Sequence, residues 1–314
     1  MGRYSFVLKR LLISVPLLLG VVFLVFLLLK ITPGDPARVV AGLRASEEAV
    51  DQVRDELGLN DPVIVQYATY VGDVARGDFG YSFKSRQPVT TLIKDRLEPS
   101  LWLVAGGLAV SIAASIPLAN WAAARRDGLA DQVIRGVSLL GVTMPAFWVG
   151  LMLIILVALP TGWFPTGGFG DTAGEHLHHI VLPAATLGIS LAPIQIRSLR
   201  ASTIRVLDSD YVQLGRSIGA HGSSLVRWFV LRNTVSSTVT IIAIETSFLL
   251  FGMVVIETTF SLPGLGQGMV LAASQRDFPA IQGYTLLFAL IVVAVYLLAD
   301  VINAMLDPRV EISG

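Results

Sequence analysis

Five stretches of this chain, residues 11–29, 101–124, 136–159, 180–196 and 278–299, carry no charged side chain, and a sixth, 234–256, is interrupted only by Glu245. Most approach or exceed the roughly 20 residues that an α-helix, rising about 1.5 Å per residue, needs to cross a hydrocarbon core of about 30 Å. Lipid offers no partner to a backbone N–H or C=O, so each stretch must satisfy its own. None shows the period-2 alternation of a membrane barrel, which leaves helices. With 54 % hydrophobic residues, 15 % charged residues and a mean hydropathy of +0.69, the chain is too apolar for a soluble domain. The expected class is an all-α polytopic membrane protein with six transmembrane helices. The first stretch follows Arg3, Lys9 and Arg10 as a signal peptide would, but its apolar part is too long and ITPGDP offers no small-residue cleavage site, so it is expected to be retained. The chain has no cysteine, which excludes disulfides and thiolate chemistry.

Charge sets the expected orientation. With the N-terminus inside, the inner segments hold thirteen basic residues: Arg3, Lys9, Arg10, Arg125, Arg126, Arg135, Arg197, Arg200, Arg205, Arg216, Arg227, Arg232 and Arg309. The two short outer loops hold only Arg276. The long first outer loop carries nine more, but loops of that length fall outside the positive-inside rule. Both termini are therefore expected on the cytoplasmic side.

Residues 1–314 read as one membrane domain, without low-complexity linkers or internal repeats. Between the first two spans lies an ordered external insertion, residues 30–100. Within it SEEAVDQVRDELG predicts a helix with Ser46 as N-cap, Val50, Val53 and Leu57 on one face and Gly58 as its stop. Pro62 to Val74 is aromatic and apolar, and RGDFGYSF has the composition of a turn and short strand. On the inner side, residues 197–235 form a basic loop. It predicts a helix from about Asp208 to Ile218, with Ser209 or Asp210 as N-cap, a turn at Gly219, and a second helix entering span five. A basic surface helix resting on anionic lipid headgroups is the plainer account of that loop.

Seven segments, in order, carry a resemblance that covers the chain from end to end. They are RYSFVLKRLLISVPLLLG, LGLNDPVIVQYATYVGDVARGDFGYSF, TMPAFWVGLML, HHIVLPAATLG, DYVQLGRSIG, ETTFSLPGLGQGMVLAASQRDFPAIQG and LLADVINAMLDPRV. With these the chain resembles the inner-membrane permease subunits of dipeptide and oligopeptide ABC importers, a peptide and nickel family served by external binding proteins. The resemblance implies the type I ABC importer permease fold. It implies transport of di- or oligopeptides, with nickel or another small solute as the alternative. It implies three kinds of partner: a second, related permease in a heterodimer, two ATP-binding subunits, and an extracytoplasmic solute-binding protein. Membrane lipid surrounds the chain and no nucleic acid is implied. The expected location is the bacterial inner membrane, multi-pass. The resemblance also implies that residues 197–235 are the coupling loop that docks on an ATPase subunit, through Asp210, Tyr211, Val212, Gln213, Gly215, Gly219, Ala220 and His221. The chain departs from the general importer pattern here: Gln213, Leu214 and Gly215 stand where Glu-Ala-Ala is usual, and Leu231-Arg232 where the pattern ends in Leu-Pro.

No Gly-x-x-x-x-Gly-Lys-Ser/Thr occurs, nor any Gly-Lys pair, so the chain is not expected to be an enzyme; ATP and Mg²⁺ belong to the partner subunits and no cofactor is expected on this chain. SLPGLGQG lacks the lysine of a phosphate loop and reads as a re-entrant turn after span five. His176, His178 and His179 invite a metal-binding reading, but residues at a membrane interface are the simpler account and no metal site is expected. Glu245 and Glu257, twelve residues or about 18 Å apart along span five, are costly in a membrane and are the candidate translocation-path residues; bundle-internal pairing is the structural alternative. Asp300, Asn303 and Asp307 share one face near the end of span six and read as structural. An ion-coupled secondary transporter is the rival from another class, and Glu245 is its sole candidate near the bilayer midplane.

Overall fold

The computed structural model describes residues 3–31, 35–42, 44–82, 84–217, 245 and 249–306. The chain divides into two compact units, one of Met1–Val7, Glu98–Gln267 and Ala294–Gly314, the other of Leu8–Leu97 and Gly268–Val293. Three described helices are long and apolar enough to cross a membrane, or four where the bent pair Leu129–Thr143 and Ala146–Thr161 counts as one span. The shorter apolar helices Leu12–Leu27 and Leu249–Thr259 fall on the apolar stretches 11–29 and 234–256.

In the second unit α1 (Arg3–Ile31) carries Pro16 without ending there. Three helices of the insertion follow: α2 (Pro36–Ala41), α3 (Glu47–Glu56) and α4 (Val63–Ala75). Ser46 caps α3 by accepting the Ala49 N–H, Gly58 reverses the chain at φ 61°, and Val50 is fully buried, as the sequence predicts. Leu57 instead is exposed, at the C-cap of α3. Asp35 caps α2 through the Ala37 N–H and takes Arg54 of α3 at 2.5 Å. Burial pushes its carboxyl upward, but the Arg54 hydrogen bond and charge and the Ala37 amide outweigh this and hold it below the usual range. Tyr67 of α4 packs edge-on against Phe23 of α1 and donates its hydroxyl to the Leu19 carbonyl at 2.8 Å. The RGDFGYSF segment supplies a two-residue strand, β1 (Tyr81–Ser82), paired antiparallel with β2 (Gln87–Pro88). Ser82 donates to the buried Asp277, which fixes this hairpin to the corner before the last helix.

The first unit is built on α9 (Ala173–Leu207), whose most apolar window is 67 % buried against 22 % for α5 (Val89–Ala124). At 35 residues α9 is roughly 52 Å long, more than a bilayer core requires. Where α5 crosses it, both helices present small residues. A Cβ at Gly107 would lie 2.5 Å from Leu187 Cδ2, and one at Gly188 would lie 2.5 Å from Val110 Cγ1 and 3.1 Å from the Gly107 carbonyl oxygen. Small residues at such crossings let backbones approach and recover dispersion that lipid would otherwise supply.

Residues 136–159 do not form the single straight span their hydropathy suggests. They fold as α6 (Leu129–Thr143) and α7 (Ala146–Leu153), the latter continued by a π-helical turn, Ile154–Ala158, and a last turn, α8 (Leu159–Thr161). The axes bend by 103° at Met144 and Pro145. Met144, before Pro145, leaves the helical region at ψ 123°, the conformation that a following proline favours, and that ends α6. Beyond α9 come α10 (Asp210–Ser217), α11 (Leu249–Thr259), α12 (Leu265–Gln275) and α13 (Phe278–Leu306). Helix α5 begins twelve residues before the apolar stretch that announced it.

Gly188→Val places two methyl groups where Val110 and the Gly107 carbonyl already sit. Overpacking of this kind typically costs about 1–3 kcal/mol, so the variant is expected to melt at lower temperature in detergent than the parent, read by tryptophan fluorescence. An unchanged midpoint would show that the two helices separate without penalty.

Candidate functional site

Helix α10 leaves α9 after one turn residue pair. Asp208 is the C-cap of α9, and the Ser209 carbonyl accepts the N–H groups of Val212 and Gln213. The Ser209 hydroxyl does not cap α10 as the sequence suggests; it donates back to the Val206 carbonyl. Asp210 stands in the first turn of α10, Val212 is fully buried, Gly215 is buried, and Gln213 and Leu214 are exposed, Leu214 to 64 %. A short helix that buries Val212 and offers an exposed leucine has an apolar surface without a described occupant. Tyr211 lies in α10, and Gly219, Ala220 and His221 lie outside the described residues.

Glu245 is 3 % exposed and belongs to a polar cluster inside the first unit. Gln195 of α9 donates its amide N–H to Glu245 Oε2 at 2.7 Å and to Ser111 Oγ at 3.3 Å, while Gln195 Oε1 accepts the Ser115 hydroxyl at 2.9 Å. Ser111 and Ser115 are one turn apart on α5, hence on the same face. The second oxygen of Glu245 has no hydrogen-bond partner among the described residues. The sequence singled out Glu245 but not its partners, because serine and glutamine hardly dent an apolar run. Their four-residue spacing on one face is the signal that points to them.

Glu257 is fully buried and performs identifiable work. Its Oε1 accepts the Ser100 hydroxyl at 2.6 Å and its Oε2 accepts the Gln267 N–H at 3.0 Å, while Ser100 Oγ accepts the Leu265 N–H at 2.8 Å. Leu265 and Gln267 supply first-turn amides of α12, so the carboxylate and hydroxyl together satisfy a helix N-terminus, where a negative charge is favoured by the helix dipole. Gly264 and Gly266 allow this: a Cβ at Gly264 would lie 2.2 Å from Glu257 Oε1, and one at Gly266 would lie 2.6 Å from Val254 Cα. Gly264 and Gly266 of SLPGLGQG therefore serve a tight return onto α11.

The histidines of HLHH fasten the segment before α9. His178 Nε2 and His179 Nδ1 reach the carbonyls of Trp163 and Gly167 at 2.5 and 2.9 Å; since a carbonyl only accepts, both nitrogens carry the proton. His176 stacks on Phe169 at 3.9 Å and lies 3.5 Å from Glu98. Thr172 and Glu175 close a capping box at the helix start. Among the described residues no three metal-ligating side chains converge.

The chain belongs to the family described as binding-protein-dependent transport system inner membrane component, whose pattern matches residues 115–312; the companion N-terminal region of the same class of transport component matches residues 3–104. Over 307 residues it is 37 % identical to a glutathione transport system permease protein of Salmonella choleraesuis, covering 98 % of this chain and 99 % of that protein. It is equally identical, over 310 residues and the same shares, to a putative peptide transport system permease protein of Brucella suis. It is an inner-membrane permease of an ABC importer, and not itself an enzyme.

Glu257→Gln replaces one acceptor oxygen by an NH₂ that must face either the Ser100 hydroxyl or the Gln267 N–H. Leaving a buried donor unpaired costs about 1–3 kcal/mol. The variant is expected to lower the thermal midpoint of the purified subunit, with Ser100→Ala falling in the same direction. A midpoint equal to that of the parent would show that the carboxylate is not the cap.

Proposed function

We propose that this permease carries di- or oligopeptides, delivered by an external solute-binding protein, and that it works beside a second, related permease and two ATP-binding subunits. The observation that supports the reading most is end-to-end similarity to permeases named for glutathione and peptide transport, over 98 % of the chain. Hydrolysis of ATP, with its Mg²⁺, falls to the partner subunits, because this chain has no phosphate-binding lysine after a glycine. Both termini and α10 face the cytoplasm, which agrees with the thirteen basic residues assigned to inner segments.

Helix α10 is the docking element in this reading, together with Gly219, Ala220 and His221 that the resemblance names. Its exposed Leu214 would enter an apolar groove on an ATP-binding subunit, with Asp210, Gln213 and Gly215 setting the helix's approach. Glu245 lines the translocation path, or the partition next to it, and its second oxygen, buried and without a hydrogen-bond partner among the described residues, would take a solute amine or water when the path opens. Glu257 acts one level back, holding the return that borders the path.

Leu214→Asp puts a charge on the apolar contact and leaves the membrane spans untouched. It is expected to reach the membrane at the parental level while retaining about tenfold less ATP-binding subunit on affinity capture, the scale typical of a central interface residue. Undiminished capture would remove α10 from the docking surface.

A further inference from the structure

Two contacts tie the turn between α5 and α6 to the end of α9 from which α10 departs. Asp131, in the first turn of α6, is fully buried, and Arg200 of α9 holds it with both arms of its fork: Nε to Oδ1 at 2.5 Å and Nη2 to Oδ2 at 2.6 Å. The N–H of Asp127, a residue at φ 63°, adds a third bond to Oδ2 at 2.9 Å, and the half-exposed Arg135 stands 3.8 Å from the same oxygen. At the surface, Arg126 meets Asp208 at 3.1 Å. Asp208 is the C-cap of α9, two residues before α10 begins.

The other packing at this end differs in kind. Ala122, Ile134, Ala192 and Ile196 meet there, with Ala114 and Leu118 beside them. Such aliphatic contacts are non-directional and let one helix slide against another at little cost. A bidentate guanidinium–carboxylate pair does not: it sets distance and orientation together. Its burial matters as well, since a pair in water contributes little, whereas parting a buried one strands a charge. Any displacement of α10 reaches α9 through Asp208 and Ser209, and the Asp131–Arg200 pair is a buried directional contact that can carry it into α6.

We propose that Asp131 and Arg200 are positioning residues for transport, passing the movement of α10 into α6 and so to the Met144–Pro145 break ahead of α7. The proposal rests on the reading of α10 as the ATPase-docking element. It assigns the pair no contact with solute or nucleotide.

The test uses the complete importer reconstituted in vesicles, with every measurement normalised to assembled complex. Arg200→Lys keeps the charge and loses the fork; Asp131→Asn keeps the shape and loses the charge. Both are expected to retain the ATP-binding subunits and basal hydrolysis, while solute moved per ATP hydrolysed falls about fivefold or more, the lower range of measurable coupling between sites. Parental coupling in both variants would overturn the proposal. So would failure of both to assemble, because the pair would then be a folding contact only. Docking is judged separately: if Leu214→Asp keeps its ATP-binding subunits, the reading of α10 fails whatever Arg200→Lys does.

Discussion

A polar side chain inside a bundle this apolar has to find another one, and the first unit is organised by that requirement along α9. An isolated buried carboxylate or guanidinium costs several kcal/mol, more than any single aliphatic contact returns. Gln195 answers Glu245, Ser111 and Ser115; Arg200 answers Asp131; Thr203 reaches Asn120 of α5 at 3.3 Å. Three successive positions on the lower half of α9 thus fix its register against α5, α6 and Glu245. The glycine contacts at Gly107 and Gly188 bring the helices close, and these polar contacts say where along each other they stop.

The same logic explains the return after span five. A chain that turns back within apolar surroundings exposes the first amides of the next helix, and no water is there to take them. Glu257 and Ser100 take them instead. A carboxylate that looks anomalous in a hydropathy profile is thereby a cap, supplied by the preceding helix because the sequence S-L-P-G-L-G leaves no room for a local one.

Hydropathy made the spans legible, and cap chemistry made the insertion legible: Ser46, Val50 and Gly58 behave as their residue types require. The break in span three was hidden because TMPAF is as apolar as its flanks. Proline alone does not mark it either, since Pro16, Pro99, Pro117, Pro183 and Pro193 all lie inside continuous helices. What distinguishes Pro145 is that the chain has somewhere else to go, a 103° bend onto α9. The Asp131–Arg200 pair joins residues 69 apart, and no periodicity in one helix reveals a partner in another. For Glu245 the sequence identified the costly residue and missed the uncharged ones that accommodate it. Gly219, Ala220 and His221, named by resemblance, lie outside the described residues.

The central claim is that this chain forms half of a peptide pathway driven by ATP through docked partner subunits. The most direct measurement is accumulation of a labelled dipeptide or glutathione in vesicles that contain this permease, its second permease and the ATP-binding subunits, with the solute-binding protein on the outer face. The account predicts uptake that requires ATP on the inner face and the binding protein on the outer, and that persists when ion gradients are collapsed. Uptake that proceeds without ATP and stops when the proton or sodium gradient is dissipated would contradict it.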